Sequence, residues 1–357
     1  MKKIAFVTRS MQAGGAERVL QQIITAFCAD IECSLFLTED KPIFYDLPQE
    51  CYAVVIGNQS GNSAMNKFKQ YKFLRKKLKE CNPDVVLAMP EEIGIYAILA
   101  MIGTGIPVVV SERNNPWVMP YRKVSRILRR VAYRFASGFI FQTGQAASFF
   151  SKRIQKRGIV LPNPLDLTRI PERHTGEREK TVAAVGRLDK QKNFPLLIDA
   201  FSDFHTDHTE YCLSIYGDGP EGEYLKQYAS ERLGPGVYTF HGKSTRVLQE
   251  ICSAGMFVLS SDYEGMPNAL IEAMAMGLPC VSTDCPSGGP AALIQNGTNG
   301  ILVPVGNRQR LTEAMSAMAD CSEWAKELGE NAVQINKKFD SRVVAVQWRN
   351  YLEQCCN

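Results

Sequence analysis

Lys3-Ile4-Ala5-Phe6-Val7-Thr8, followed by Gly14-Gly15-Ala16-Glu17-Arg18 and a helix-period run over 16–28, is the stretch that decides the fold. A short β-rich apolar run passes through a glycine turn into a helix, and the same alternation continues almost throughout the chain. Candidate strands fall at 3–8, 31–37, 84–88, 106–111 and 138–143, then at 181–185, 211–216, 237–241, 256–260 and 279–283. Helical patterns occupy 16–28, 67–81, 121–136, 193–204, 221–232 and 267–276. Strands that alternate with helices predict an α/β fold, with parallel sheets covered by helices on both faces. The rhythm breaks over 162–180, a polar, proline-rich stretch that begins Pro162-Asn163-Pro164. At 357 residues the chain exceeds the roughly 250–300 at which a single core stops growing, so the break is expected to separate two domains. The expected organisation is two Rossmann-like domains, 1–165 and 166–335. Residues 336–357 carry a helix-period pattern (Val343, Val344, Val346, Trp348, Tyr351, Leu352) and no strand; they form a C-terminal helix able to cap either half, the N-terminal domain included.

Composition removes several classes. Hydrophobic residues at 45% and charged residues at 22% exclude a disordered or fibrous chain. No apolar stretch approaches the ~18–20 residues of a membrane span; Ile93 to Ile102 is about half that. The N-terminal apolar run is too short for a signal-peptide core. Eleven scattered cysteines without a CxxC pair read as reduced cytosolic thiols, and Cys355-Cys356 reads as simply a reactive tail in preference to a lipidation site. The net charge of +4 conceals an asymmetry. Residues 1–170 hold 24 Lys and Arg against 13 Asp and Glu, a balance of +11, while residues 171–357 hold 17 against 24, a balance of −7. A basic half beside an acidic one points to an anionic partner: nucleic acid, a phosphorylated ligand or a membrane surface.

Four further segments carry chemistry. Gly14-Gly15 at a helix start lets backbone amides approach a phosphate, although the full dinucleotide fingerprint is missing. Gly186-Arg187-Leu188-Asp189-Lys190-Gln191-Lys192-Asn193 sets two cations, Arg187 and Lys192, beside a helix start, which suits a diphosphate or two solvated surface charges. Tyr216-Gly217-Asp218-Gly219-Pro220 ends a strand at the edge where such folds bind ligands, and reads equally as an ordinary turn. The most specific segment is Asp262-Tyr263-Glu264-Gly265-Met266-Pro267-Asn268-Ala269-Leu270-Ile271-Glu272. Pro267 suits the first helical turn, Glu264 then lies on the preceding loop and Glu272 inside the helix. One site thus offers backbone donors to a diphosphate and carboxylates to sugar hydroxyls.

In this order, and together with Pro162-Asn163-Pro164 and Pro286-Ser287-Gly288-Gly289-Pro290, these segments resemble the retaining glycosyltransferases of family 4, over about residues 3–305. Within that family the chain looks most like bacterial enzymes extending lipid-linked oligosaccharide, capsule or O-antigen repeats. The resemblance implies a GT-B fold, two Rossmann-like domains whose sheets face across a cleft. It implies that Arg187 and Lys192 hold a nucleotide diphosphate, that Glu272 binds the ribose, and that Glu264 binds the transferred sugar with the backbone of Gly265, Met266, Pro267 and Asn268 beside it. Gly14 and Gly15 would border the diphosphate from the other domain, with Gly217 also on the donor side. Glu112 would orient the acceptor, or pair with Arg113, which stands where many relatives carry histidine. The implied activity moves a hexose or N-acetylhexosamine from a UDP-sugar to a glycan acceptor, without cofactor or metal; no Asp-x-Asp sequence occurs. A GT-B nucleotide-sugar epimerase and a non-catalytic binder of anionic polymer or membrane are the alternatives.

The basic half predicts peripheral association with the inner face of the plasma membrane rather than nucleic-acid binding. From Met65 to Glu80, Phe68, Tyr71, Leu74 and Leu78 share one helical face, with Lys67, Lys69, Lys76, Lys77 and Lys79 away from it, a pattern suited to an anionic surface. Between Tyr121 and Phe135, the residues Val124, Ile127, Leu128, Val131 and Phe135 are expected to face the core. Lys123, Arg126, Arg130 and Arg134 form an opposite stripe, flanked by Arg122 and Arg129, that reads as a docking site for the diphosphate of a polyprenyl-linked acceptor.

Overall fold

The structure, a computed structural model, describes residues 1–57 and 64–356, with the side chains of 64–67 outside the description. Met65 and Lys67 of the basic helical pattern fall there. The chain divides into two compact units, Met1–Pro164 with Phe339–Asn357, and Leu165–Lys338.

In the first unit the order is β1 (Lys3–Thr8), α1 (Gly15–Phe27), β2 (Glu32–Leu37), β3 (Tyr52–Val55), α2 (Ala64–Cys81), β4 (Val85–Ala88), α3 (Glu91–Met101), β5 (Val108–Ser111), α4 (Lys123–Ala132), β6 (Gly138–Phe141), α5 (Gly144–Ser148), α6 (Lys152–Gln155) and β7 (Gly158–Val160). The second unit runs β8 (Glu179–Val185), α7 (Phe194–Asp207), β9 (Cys212–Tyr216), α8 (Gly222–Ser230), β10 (Tyr238–Gly242), α9 (Val247–Ile251), β11 (Ala254–Leu259), α10 (Asn268–Ala275), β12 (Cys280–Thr283), α11 (Gly289–Leu293), β13 (Ile301–Val303), α12 (Arg308–Asp320), α13 (Ser322–Ala332) and α14 (Ile335–Phe339). The chain ends in α15 (Ser341–Cys356), within the first unit.

The sheets have orders β3-β2-β1-β4-β5-β6-β7 and β10-β9-β8-β11-β12-β13, all pairs parallel. Both reverse direction at the first strand: the sheet grows one way from β1 through β2 and the other way through β4, and likewise around β8. The central strands are buried on both faces, as parallel sheets covered by helices require.

In the first unit α1 and α15 cover one face, around Trp348, Ile23 and Phe27. Helices α2, α3 and α4 lie on the other, around Leu74, Leu78, Ile98 and Tyr133. The final helix is bound covalently late but packed centrally. Trp348 is fully buried, and Tyr351 Oη accepts from Phe139 N at 2.8 Å and donates to Arg157 O at 2.5 Å. Cys355 and Cys356 sit partly buried on this helix, and burial pushes both thiols up.

Two expectations are revised here. Most of the apolar face of α2 turns into the core, since Leu74 and Leu78 are fully buried and Tyr71 donates to Leu99 O at 2.6 Å, while Phe68 stays exposed. In α4 the residues expected to face the core point outward, while Lys123, Arg130 and Arg134 of the expected stripe stay exposed beside them. Val124 (68% exposed), Ile127 (61%), Leu128 (43%), Val131 (49%) and Phe135 (58%) point outward, whereas Arg129 is 3% exposed. The reason is the carbonyl-rich segment 116–120, which needs donors. Arg129 gives hydrogen bonds to Met119 O and Pro116 O, both at 2.9 Å, and Arg126 gives them to Pro120 O at 2.8 Å and Val118 O at 2.6 Å. Arg129 also lies over the rings of Phe149 and Phe150, 4.9 and 5.3 Å from their centroids. Rolling the helix would leave those carbonyls buried without partners, at about 1–3 kcal/mol each.

Trp348→Ala should destabilise the chain by about 3–5 kcal/mol through loss of a fully buried side chain. A urea titration followed by circular dichroism checks this; an unchanged midpoint would mean that α15 adds nothing to its unit.

Candidate active site

Two loops meet at the reversal point of the second sheet. One follows β8 and contains Arg187 and Lys192; the other follows β11 and contains Glu264. Because β8 and β11 are parallel neighbours, both loops leave the same edge, the position where open parallel sheets bind ligands. Lys192 Nζ lies 2.5 Å from Glu264 Oε1, and Ser261 Oγ donates to that same oxygen at 2.7 Å. Gln191 Nε2 donates to Tyr263 O at 2.9 Å and reaches Glu264 Oε2 at 3.4 Å. Glu264 is buried, so this charge-assisted set holds a desolvated carboxylate.

The loops are joined again beside the ion pair. Asp262 N donates to Gln191 O at 2.9 Å, and Asn193 Nδ2 donates to Asp262 Oδ1 at 2.7 Å. Asn193 adopts a left-handed conformation, φ 44°, while its side chain caps α7. Asn tolerates that region better than other side chains, and it supplies the cap as well.

A third loop closes on the second. Ser287 Oγ donates to Glu264 O. A Cβ added at Gly289 would stand 1.9 Å from Gly265 O, so only glycine allows this approach. Gly265 and Met266 are thereby held against the 287–290 turn, Pro267 takes the position before α10, and Asn268 opens that helix. Glu272 lies just over one turn along it, also buried.

The remaining expected donor residues are placed differently. Arg187 is exposed at the rim, its Nε 3.5 Å from Asp189 Oδ2. Gly217 has φ 137°, its N–H donates to Gly242 O at 2.8 Å, and an added Cβ would meet Gly186 O at 1.8 Å. It is a brace that lets the turn after β9 lie on the turn after β8, and its amide is already spent. In the first unit Gly14 is extended. Its N–H donates to Tyr45 Oη at 3.2 Å, and Tyr45 Oη donates to Gly14 O at 3.0 Å. Tyr45 was not singled out by the sequence; nothing in its local pattern marks a hydroxyl that returns thirty residues to a glycine turn. Gly15 opens α1.

Glu112 is fully buried at the end of β5. It neither pairs with Arg113 nor faces outward. Tyr133 Oη donates to Oε1, and Arg129 Nη1 stands 3.8 Å from Oε2. Burial lifts its carboxyl to about 7; Arg129 opposes the rise, Glu91 adds to it, and the Tyr133 hydrogen bond opposes it. Arg113 turns away to donate to Asn163 Oδ1. Of the four cations of the α4 stripe, Arg126 is folded back onto loop carbonyls, while Lys123, Arg130 and Arg134 remain exposed. Arg129 and Tyr133 are thus the partners of Glu112, a role that periodicity alone did not assign.

Among the described residues no group of His, Cys, Asp and Glu is arranged to hold a metal ion, and no helix is long and apolar enough to cross a membrane.

Comparison with known proteins gives the family. Residues 13–169 match the model of Glycosyltransferase Family 4, and residues 179–320 match that of Glycosyl transferases group 1. The chain belongs to the glycosyltransferases of GT-B fold. Over its full length it is 29% identical to the full length of a Campylobacter jejuni α-1,4-N-acetyl-D-galactosaminyltransferase named for the GalNAc-α-(1→4)-GalNAc-α-(1→3)-diNAcBac-PP-undecaprenol on which it acts. A second C. jejuni enzyme, N-acetylgalactosamine-N,N'-diacetylbacillosaminyl-diphospho-undecaprenol 4-α-N-acetylgalactosaminyltransferase, is 26% identical over 99% of this chain and 100% of its own. Among solved structures, Anabaena HepE in complex with UDP and glucose superposes with a TM-score of 0.83 at 20% identity, covering 99% of this chain and 100% of that one.

The folded-state value of Glu112 lies above its unfolded one, so its contribution to stability is complete below about 4.5 and is lost as pH rises through about 7. Glu112→Gln should therefore flatten the dependence of Tm on pH across that window, leaving the share of Glu91, which burial also raises. An unaltered slope in thermal melts would contradict the assignment of a buried titrating carboxyl.

Proposed function

We propose that the chain is a retaining glycosyltransferase that moves a hexose or N-acetylhexosamine from a UDP-sugar to a hydroxyl of a polyprenyl-diphosphate-linked glycan, at the cytoplasmic face of the membrane. The observation that carries the reading is the Lys192–Glu264 pair, a cation and a buried carboxylate held together at the sheet edge where a nucleotide sugar needs both. The relatives named for undecaprenol-linked acceptors support the choice of acceptor class. A UDP complex of a protein with the same fold supports the donor.

In this reading the diphosphate competes with Glu264 for Lys192, and the exposed Arg187 swings from Asp189 to complete the clamp. Glu264, released from Lys192 and still held by Ser261, then accepts hydrogen bonds from the sugar hydroxyls. Glu272 takes the ribose. The developing negative charge on the leaving diphosphate is met by Arg187, Lys192 and the start of α10, so a divalent ion is not required. The leaving diphosphate accepts the proton of the incoming hydroxyl on the face it departs from, which preserves the anomeric configuration.

With an undecaprenyl-diphosphate-linked glycan and UDP-N-acetylhexosamine or UDP-hexose donors, proton NMR of early product should show the α anomer from an α donor, and EDTA should leave turnover intact. An inverted anomer, or loss of activity restored by Mn²⁺, contradicts the mechanism. Lys192→Ala should lower kcat/KM by 10²–10³, about 2.7–4 kcal/mol. Glu264→Ala should act mainly on kcat, and Glu272→Ala mainly on the donor KM, because ribose binding changes little between ground and transition states. Identical kinetic profiles for the two glutamate variants would overturn their separate roles.

A further inference from the structure

Between the starts of α7 and α8 lies a cavity of about 420 Å³, lined by Lys190, Asn193, Pro195, Glu221 and Tyr224. That is within the size of a small-ligand site, about 300–1,000 Å³. Its residues follow β8 and β9, which are parallel neighbours, so it opens at the sheet edge that also carries the donor loops. Of the five, only Asn193 takes part in the stitching around Lys192 and Glu264. The cavity is therefore a second concavity beside that site.

Three polar heads around it are unspent. Among the described residues, Lys190 Nζ, the Glu221 carboxylate and Tyr224 Oη have no hydrogen-bond or ion-pair partner. The Tyr224 ring is 53% exposed, and it is held upright rather than loose. It packs against Tyr228 with centroids 5.6 Å apart. Tyr228 is itself fixed, because its Oη bonds to both carboxylate oxygens of Asp199, at 3.0 and 2.9 Å, and Arg232 lies over its ring at 3.4 Å. A fixed aromatic wall gives contact area at little cost in side-chain entropy.

The charge balance selects the ligand class. One cation and one carboxylate line the cavity, so neither an anion nor a cation is matched by it. The helix starts add little for an anion. Pro195 has no N–H, Asn193 Oδ1 already accepts from Leu196 N at 3.3 Å, and the Glu221 and Gly222 amides are given to Leu188 O and Gly219 O, both at 3.0 Å. A pyranose ring has an apolar C–H face for an aromatic and a rim of hydroxyls that both donate and accept. Tyr224 and Pro195 offer the first contact, while Lys190 donates and Glu221 accepts.

We propose that this cavity is a second saccharide site, which holds a neutral pyranose unit of a glycan chain against Tyr224 and between Lys190 and Glu221. It deepens the reading of the chain as a glycan-extending enzyme and rests on it for the source of the sugar: the cavity gives the enzyme a hold on the chain being built that is separate from the bond-forming centre.

Saturation-transfer difference NMR of the full chain tests this with maltotriose and with an α-linked N-acetylhexosamine trisaccharide, both free of lipid, with and without saturating UDP. Ring C–H protons of at least one trisaccharide should be saturated, and UDP should leave the signal in place. Tyr224→Ala should weaken binding about two- to tenfold, the range of an aromatic contact. Tyr224→Phe, which keeps the ring, should retain most of it, and Glu221→Gln should weaken it. Each variant should keep the wild-type Tm and the thermal shift given by UDP. Failure of both trisaccharides to bind at millimolar concentration, binding undiminished in Tyr224→Ala, or displacement of the signal by UDP overturns the proposal; the last would put the sugar in the donor site. Stabilisation by inorganic phosphate that Lys190→Ala removes also overturns it, by making the cavity an anion site. Absence of a UDP shift in the wild type, with trisaccharide binding intact, would refute the donor reading and leave this one standing.

Discussion

Both sheets are wholly parallel, and that one constraint arranges everything else. A parallel strand can be followed by another only after a crossover returns the chain to the same end of the sheet. Every loop that leaves a strand's carboxyl end is therefore gathered on one edge. Where the strand order reverses, two such loops separate from each other and leave a crevice between helices that start on opposite faces. In the second unit the loops after β8 and β11 occupy this position. They carry the cation and the carboxylate, and their backbones are stitched at Asp262–Gln191 and Asp262–Asn193. A desolvated Glu264 is tolerable there only because Lys192, Ser261 and Gln191 surround it with donors. The same arrangement gives a diphosphate a cation to capture, so the requirement of stability and the proposed requirement of binding fall on one residue.

The first unit uses its edge in another way. The end of β5 is occupied by a buried network, Glu112 with Tyr133 and Arg129, which fastens α4 from beneath. A buried charge with its partners chosen from one helix imposes an orientation on that helix. Its cost is that the apolar side of α4 looks outward. Residues 112 and 129 join the end of β5 to the side of α4 opposite the outward ridge.

The strand-to-helix rhythm was legible because buried parallel strands are short unbroken apolar runs with glycine turns behind them. β1, β2, β4, β8 and β9 stand within a residue or two of their expected bounds. β3, an edge strand with little burial, was missed although Cys51 to Ile56 is an unbroken apolar run. β7 and β13 were missed because three residues give no period. α3 is apolar nearly all round, buried on most sides, so its sequence shows composition without a face. The 262–272 segment announced itself through residue types whose combination is rarely neutral. What stayed hidden was direction. Periodicity shows that α4 has two faces but not which is inside, and the inside was decided by carbonyls of a loop that has no pattern. Gly217 illustrates the same limit: a glycine after a strand suits a ligand or a neighbouring backbone, and only the 1.8 Å approach to Gly186 O distinguishes them.

The central claim is that the donor binds at the reversal point of the second sheet, between the loops joined by Lys192 and Glu264. Amide hydrogen exchange with and without UDP tests it most directly. The account predicts slowed exchange confined to peptides covering 186–193 and 262–290, with the α4 region unaffected. Protection that appears only in the first unit, or in neither loop at UDP concentrations that shift the melting temperature, would contradict it.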